Sequence, residues 1–413
     1  MRRAHGDERF HRDGGGRRPS GRARVRGPGS FREELEGLRQ AGLLRRMRRV
    51  EHLGPNVARV DGRPAILFAS NDYLGLSRHP RVVEAAAQAV ALHGASATAS
   101  RLVNGTHALY AELEEALAAF KGAQAALVFA TGYMANLGVV TALASSREDL
   151  VLLDRLDHAS LYDACAMSPA KTTRYPHCDL PALERRLAEG PGAGRTLVVT
   201  DGVFSMDGDV APLAELREAT RAASAWLVVD DAHGTGVLGP RGRGSCAAAG
   251  LHPDVEIGTL SKALGSLGGF VVGDRALVDY LVNRARPLIF STGLPPSAVA
   301  AALAALRAAE AEPWRRERVL ALAARARAAL AAAGYEVLPG KTPIVPIVVG
   351  DERLASALSE ACLERGVFVP AIRTPSVPAG RARLRMTLCA DHTDGQLEQA
   401  LAVLCEARER LSP

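Results

Sequence analysis

TLVVTDGVFSMDGDVAPLAELREATRAASAWLVVDDAHGTG, residues 196–236, reads as strand, loop, helix, strand. TLVVTDG (196–202) and WLVVDDAHG (226–234) are short β-rich runs, each ending at an Asp, and 211–224 between them has a helical pattern. Two such runs joined by a helix make a parallel crossover. The same alternation extends outward. Upstream lie a strand at PAILFAS (64–70), helices over 80–93 and 108–121, ALVFA (126–130), a helix over 133–144, DLVLLD (149–154) and TTRYPH (172–177). Downstream the series continues with EIGTLSK (256–262), GGFVVGD (268–274) and LIFST (288–292). The reading is an α/β fold with a mainly parallel sheet.

A long helix is expected over about 296–333, broken at Pro313, which lacks the N–H a helix interior needs. After Gly334 the texture changes to PIVPIVVG, a helix over 352–365, VFVPAIR, ARLRMTL and a helix over 394–410, a smaller C-terminal α+β domain. At the other end FREELEGLRQAGLLRRMRRV (31–50) reads as one amphipathic helix. We therefore expect a basic, disordered tail over 1–30, a helix-and-strand segment over 31–75, a large domain over 76–300 and a small domain with its linking helix over 301–413.

Composition removes several function classes. The 413 residues are 47% hydrophobic and 23% charged, and no window of 18 apolar residues suggests a transmembrane helix. The opening residues have no apolar stretch, so no secretory signal is expected. Six Cys form no C-x-x-C pair, which argues against a zinc ribbon or disulfide scaffold and suits a reducing cytoplasm. The net charge is +6, and residues 1–30, with nine Arg against three acids, account for all of it. The body is neutral, so nucleic-acid binding by the folded part has no electrostatic basis.

Only four of the 51 basic residues are Lys: Lys121, Lys171, Lys262 and Lys341. An amine can lose its proton and attack a carbonyl, whereas a guanidinium stays charged. Lys262 ends an apolar run in EIGTLSKALGSLGG (256–269), among Ser and Gly that leave room for a bulky group. A buried amine of depressed pKa is one reading and a solvated strand-end Lys the other. In WLVVDDAHGTG, Asp230 could hold a ring nitrogen protonated while His233 bonds a phenolate oxygen; a plain Asx turn with a surface His is the alternative. A metal reading of Asp230, Asp231 and His233 lacks a matching ligand cluster. FATGYMAN (129–136) places Thr131, Gly132 and Tyr133 at a helix start suited to a phosphate, and matches neither the dinucleotide nor the P-loop pattern. His158, in LLDRLDHASLYD (152–163), could stack on an aromatic ring or simply cap a helix. Ser205 and Asp207 sit in a Gly-flanked loop, and Arg373 stands beside three prolines on a stiff backbone that suits a carboxylate clamp.

Taken together, SNDYLGLS (70–77), DGVFSMDGD, VVDDAHGTGVLG, TLSKALG, STGLPP (291–296) and AIRTPSVPAGRARLR resemble the α-oxoamine synthase family of pyridoxal 5′-phosphate (PLP) enzymes, from about residue 34 to 408. The resemblance implies an aspartate-aminotransferase-like fold, PLP as cofactor and no metal. It implies that Lys262 carries the cofactor, Asp230 partners the pyridine nitrogen, His233 the 3-oxygen, and His158 stacks on the ring, with Lys262, His158 and Asp230 catalytic. Gly132, Tyr133, Ser205 and Thr259 match further cofactor contacts. Thr292 matches a phosphate contact from the neighbouring subunit, so a homodimer is expected. Arg373, Arg45, Asn71, Ser376 and His158 match substrate-side positions. The implied reaction is decarboxylative condensation of L-alanine with a pimeloyl thioester of coenzyme A or a carrier protein, in the cytoplasm; glycine with acetyl-CoA is the alternative.

Overall fold

The computed structural model describes residues 30–190 and 193–411, in two units divided between Arg46 and Met47. The basic stretch expected over 1–30 falls, apart from Ser30, outside the described residues. In the first unit, helix α1 covers Ser30–Gln40 and stops well short of residue 50. Gly42, at φ +70, ends it in the left-handed conformation that glycine adopts freely. Arg45 therefore sits in an exposed, non-helical stretch rather than on a helix face.

The second unit opens with strands β1 (Val50–Gly54), β2 (Val57–Val60) and β3 (Arg63–Leu67), then helices α2 (Pro80–His93) and α3 (Leu109–Lys121). The alternating stretch follows as β4 (Ala125–Phe129), α4 (Gly132–Leu143), β5 (Leu150–Asp154), α5 (Ala159–Met167), β6 (Lys171–Tyr175), α6 (Leu180–Glu189), β7 (Thr196–Asp201), α7 (Leu213–Ala222), β8 (Trp226–Asp230), α8 (Ser245–Ala248), β9 (Val255–Thr259) and β10 (Gly269–Gly273). Then come α9 (Arg275–Arg284), α10 (Arg286–Ile289), α11 (Pro296–Ala311) and α12 (Trp314–Ala332). The chain closes with β11 (Glu336–Val337), β12 (Ile344–Gly350), α13 (Glu352–Glu364), β13 (Val367–Phe368), β14 (Ala371–Ile372), β15 (Ala382–Thr387) and α14 (Asp394–Leu411).

Seven strands form the central sheet in the order β4-β10-β9-β8-β7-β5-β6, all parallel except β10, which runs against both neighbours. Strands β4, β5, β7 and β9 are buried at every position, as a sheet covered on both faces requires. Their carboxyl ends all open toward one edge. A second sheet, β1-β2-β3-β13, joins Ile66 and Leu67 in parallel to Val367 and Phe368, and an antiparallel sheet β11-β12-β15-β14 forms the C-terminal part.

LIFST, read as a strand, is instead the short helix α10 followed by an extended turn. Pro287 in its first turn presets the helical φ, a signal that outweighs the apolar run around it. The long helix breaks as expected, with α11 ending at Ala311 and α12 starting at Trp314.

Candidate active site

At the carboxyl edge of the central sheet lies a cavity of about 160 Å³. It gathers loops from five strands: Gly132 and Tyr133 after β4, His158 after β5, Ser205 after β7, Asp230 and His233 after β8, and Thr259 and Lys262 after β9. These are eight of the thirteen residues that the sequence singled out as cofactor or substrate contacts. Ligands in open α/β sheets bind at this edge because strand ends there aim side chains and helix N-termini into one crevice.

Each member is placed by local chemistry. Thr131 caps α4, its hydroxyl accepting from the Met134 N–H at 3.0 Å, which leaves the first amides of that helix facing the cavity. His158 caps α5: its Nδ1 accepts from the Ser160 N–H at 3.3 Å and pairs with Ser160 Oγ at 2.7 Å. The two readings of His158, cap and site residue, are thus compatible, since one nitrogen caps while the ring lines the cavity. Thr259 is locked by donation to the Gly268 carbonyl at 2.9 Å and contact with Ser261 Oγ at 2.7 Å.

Asn136, which the sequence reading passed over, connects the two sides. Its Nδ2 donates to Asp230 Oδ2 at 2.6 Å and to Ser160 Oγ at 2.7 Å, using both amide protons. Ser160 is then left to donate to His158 Nδ1, which places the proton of a neutral His158 on Nε2. Burial lowers the His158 pKa, against the opposing pull of Asp230. Burial also lowers Lys262 from its ordinary 10.5, opposed by Asp230 and Asp201 and assisted by Arg385. His233 is driven well below 6.5 by burial and by the charges of Lys262 and Arg385. The carboxyl of Asp201, in the same cavity, is pushed well up by burial and by Asp230.

A second chain of bonds holds His233. Tyr73, fully buried, meets His233 Nδ1 at 2.6 Å and Asn71 Oδ1 at 3.3 Å, and Arg385 donates to the same Asn71 oxygen at 3.3 Å. Asn71 thus touches the site through Tyr73 rather than by lining the cavity. Arg385 also donates to the Ser205 carbonyl at 2.6 Å, so β15 pins the Ser205 loop. Asp207 ion-pairs with Arg383 and stays out of the cavity.

The structure leaves the other expected residues outside this cavity. Thr292 is exposed and forms an isolated bridge with Ser100. Arg373 is half-buried, and Ser376, whose N–H donates to the Arg373 carbonyl at 3.0 Å, is exposed. Arg45 belongs to the first unit. Asn136 and Ser160 lie within helices α4 and α5, Arg385 within strand β15 and Tyr73 in the turn after β3, and the sequence reading singled out none of the four. The one usable signal was a lone Asn in the otherwise apolar helix GYMANLGVVTAL.

The arrangement combines an amine of lowered pKa, a carboxylate bonded to a buried amide, an imidazole on each side and a helix N-terminus. It can condense with a carbonyl, hold a cationic ring nitrogen and seat an anion. These features define a class. The model of the aminotransferase class I and II family matches residues 63–404. The chain belongs to that family and has its aspartate-aminotransferase-like fold.

Among curated proteins it is similar to 8-amino-7-oxononanoate synthases. That of Geobacter metallireducens is 50% identical over 379 residues, covering 91% of this chain and 97% of that protein. That of Marinobacter nauticus is 48% identical over 385 residues, with 92% and 97% covered. Of solved structures, a serine palmitoyltransferase from S. paucimobilis with a bound PLP–myriocin adduct superposes with a TM-score of 0.88 at 34% identity, covering 92% of this chain and 97% of that one. An 8-amino-7-oxononanoate synthase from Francisella tularensis gives 0.72 at 29% identity, with 84% and 98% covered.

Proposed function

We propose that this protein binds PLP and condenses L-alanine with a pimeloyl thioester, of coenzyme A or of a carrier protein, to give 8-amino-7-oxononanoate with loss of CO₂. What carries the reading is the cavity that holds Lys262 and Asp230 together beside the N-terminus of α4. The choice of substrates follows curated relatives at 46–50% identity that are named 8-amino-7-oxononanoate synthase, and these favour alanine and pimeloyl over glycine and acetyl-CoA. Backbone likeness does not make that choice, since serine palmitoyltransferases superpose as well.

The cavity fits the cofactor. A Cβ on Gly269 would strike the Gly132 backbone at 2.6 Å, so glycine lets β10 pack directly against the start of α4 beside the cavity. Asn136 Oδ1 and Asp201 Oδ1 are buried without a hydrogen-bond partner among the described residues, and both residues line the cavity. When bound, PLP supplies an aldehyde for amines and an electron-withdrawing ring that stabilises charge at the amino-acid Cα.

Lys262 is the amine that would join the aldehyde, and burial lowers its pKa, which favours the neutral form that acts as a base at the Cα proton. Asp230, fixed by Asn136, would hold the ring nitrogen protonated. His158 would stack on the ring, and His233, with the Tyr73 hydroxyl at its Nδ1, would offer Nε2–H to the 3-oxygen. Ser205, Thr259, Gly132 and Tyr133 line the remaining cofactor surface. Arg373, Asn71 and Ser376 serve the substrates, and Arg385 adds a fixed positive charge near Lys262 and His233. Thr292 contributes to the site of a second copy. Its exposure, and that of Leu102, Val103 and Phe290 on the two segments its bridge with Ser100 joins, support a homodimer. The six unpaired thiols are in keeping with a reducing cytoplasm, and among the described residues no helix is long and apolar enough to cross a membrane.

The test supplies purified protein and PLP with pimeloyl-CoA and, in separate reactions, L-alanine, glycine or L-serine. Free thiol and product mass are followed. Alanine-dependent CoA release with the mass of 8-amino-7-oxononanoate is expected, and faster release with glycine or serine would overturn the substrate assignment.

A further inference from the structure

Of the four lysines, Lys262 belongs to the cavity. Lys121, the last residue of α3, is the other that the fold encloses, at 3% exposure. Its Nζ lies within hydrogen-bond reach of four acceptors that share its three protons: Asp231 Oδ2 at 2.9 Å, Thr235 Oγ1 at 2.8 Å, the Arg243 carbonyl at 2.6 Å, and Glu256 Oε1. Asp231 is the hub of the turn after Asp230. Besides Lys121, its carboxylate accepts from Thr235 Oγ1 at 3.0 Å, the Ser245 N–H at 3.0 Å and Ser245 Oγ, and its own N–H donates to the Ile257 carbonyl at 2.8 Å. Glu256 lies on β9, three residues before Thr259 and six before Lys262.

Three glycines pack closely against Asp231 and Ser245 in this cluster. A Cβ on Gly244 would fall 1.8 Å from Asp231 Oδ2, on Gly234 2.1 Å from Asp231 Oδ1, and on Gly202 2.3 Å from Ser245 Oγ. Such a space takes a compact ammonium with three rotatable donors, which a planar guanidinium cannot imitate; this explains an amine in a chain that otherwise uses Arg. Buried ion pairs add little net stability over an apolar filling, so geometry is the better account of this one. The pairs tie the turn leaving β8 to β9, and those two strands deliver Asp230 and Lys262.

We propose that Lys121 is a positioning residue: by clamping Asp231 and Thr235 against Glu256 it fixes the 230–235 turn, so that Asp230 and His233 meet the cofactor ring in register with Lys262. The proposal rests on the PLP reading above. Its test titrates apo-protein with PLP, reads the dissociation constant from absorbance, and records the pH profile of the bound cofactor's visible spectrum. Wild type is compared with Lys121→Met, Thr235→Val, and Leu397→Ala in α14, a buried site remote in sequence and element that serves as the control for lost stability. Wild type is expected to take up PLP. Lys121→Met and Thr235→Val should weaken it on the order of tenfold, the size that outer hydrogen-bond partners carry at metal sites, and should displace the spectral pH profile. Leu397→Ala should lower the apo-protein Tm and leave both readouts unchanged. Should Lys121→Met fail to fold, Thr235→Val decides alone. Wild-type affinity and an unmoved profile in the folded variants would overturn the positioning role, whereas a wild-type chain that takes up no PLP would overturn the reading beneath it.

Discussion

Lys262 owes its chemistry to its neighbours. A neutral amine is the reactive form, and burial shifts Lys262 below 10.5. The rate of PLP uptake should therefore rise with pH, with its midpoint below 10.5. Arg385 contributes to that shift, so Arg385→Gln should move the midpoint to higher pH, and stopped-flow absorbance across pH 6–10 would show it. Asn136 carries the second residue-level claim. Asn136→Leu removes the donor to Asp230 and frees Ser160; a hydrogen bond to a charged group is worth about 1.5–3 kcal/mol, so turnover should fall roughly 10- to 100-fold. Circular dichroism should stay native, and unchanged turnover would remove Asn136 from the site. Lys262, Asp230 and His233 were legible because polar residues at the end of apolar runs stand out in a linear reading. Asn136 and Tyr73 were not, because their partners lie 94 and 160 residues away and nothing local marks the pairing.

Among the elements, most strands of the central sheet were readable from continuous apolar runs, β6 (KTTRY) being the exception, and the helix from Pro80 to His93 from its helical pattern. The stretch at 288–292 was misread because an apolar pentapeptide has the same composition in a strand or a buried helical turn, and the stretch at 41–50 because basic residues after Gly42 have no helical partner to declare the stop. What joins elements was hidden altogether. His177 bridges the end of β5 to the loop after β7, with Nδ1 3.0 Å from Asp154 Oδ1 and Nε2 2.9 Å from Asp209 Oδ2. Burial opposes its charge, but these carboxylates prevail and lift its pKa from 6.5 to about 12. A folded pKa above the unfolded one gives stability that is complete below about 6.5 and lost as pH rises toward 12. The Tm gap between wild type and His177→Gln should thus be widest at pH 6 and narrow by pH 9. A gap that widens with pH would refute the charged bridge.

The net charge of +6 is carried in the sequence by residues 1–30, and residues 31–413 sum to zero. If Thr292 serves the site of a second copy, the protein must associate. Sedimentation should give twice the 43.5 kDa chain mass, and Thr292→Ala should weaken PLP binding without altering the spectrum of what remains bound. A monomer with full activity would contradict the shared site. Sequence motifs carried the family and its fold from about residue 34 onward, because an active site built from strand ends writes its residues into short, ordered segments. They did not carry the buried Lys121 cluster or the β15 arginines, whose roles depend on which strands become neighbours.

The most direct test of the account is to saturate the protein with PLP, reduce it with borohydride, digest it and locate the added mass. The pyridoxyl group should be found on the peptide that contains Lys262, with Lys121, Lys171 and Lys341 unmodified. Its appearance on one of those three instead, or on none, would contradict the assignment on which the site is built.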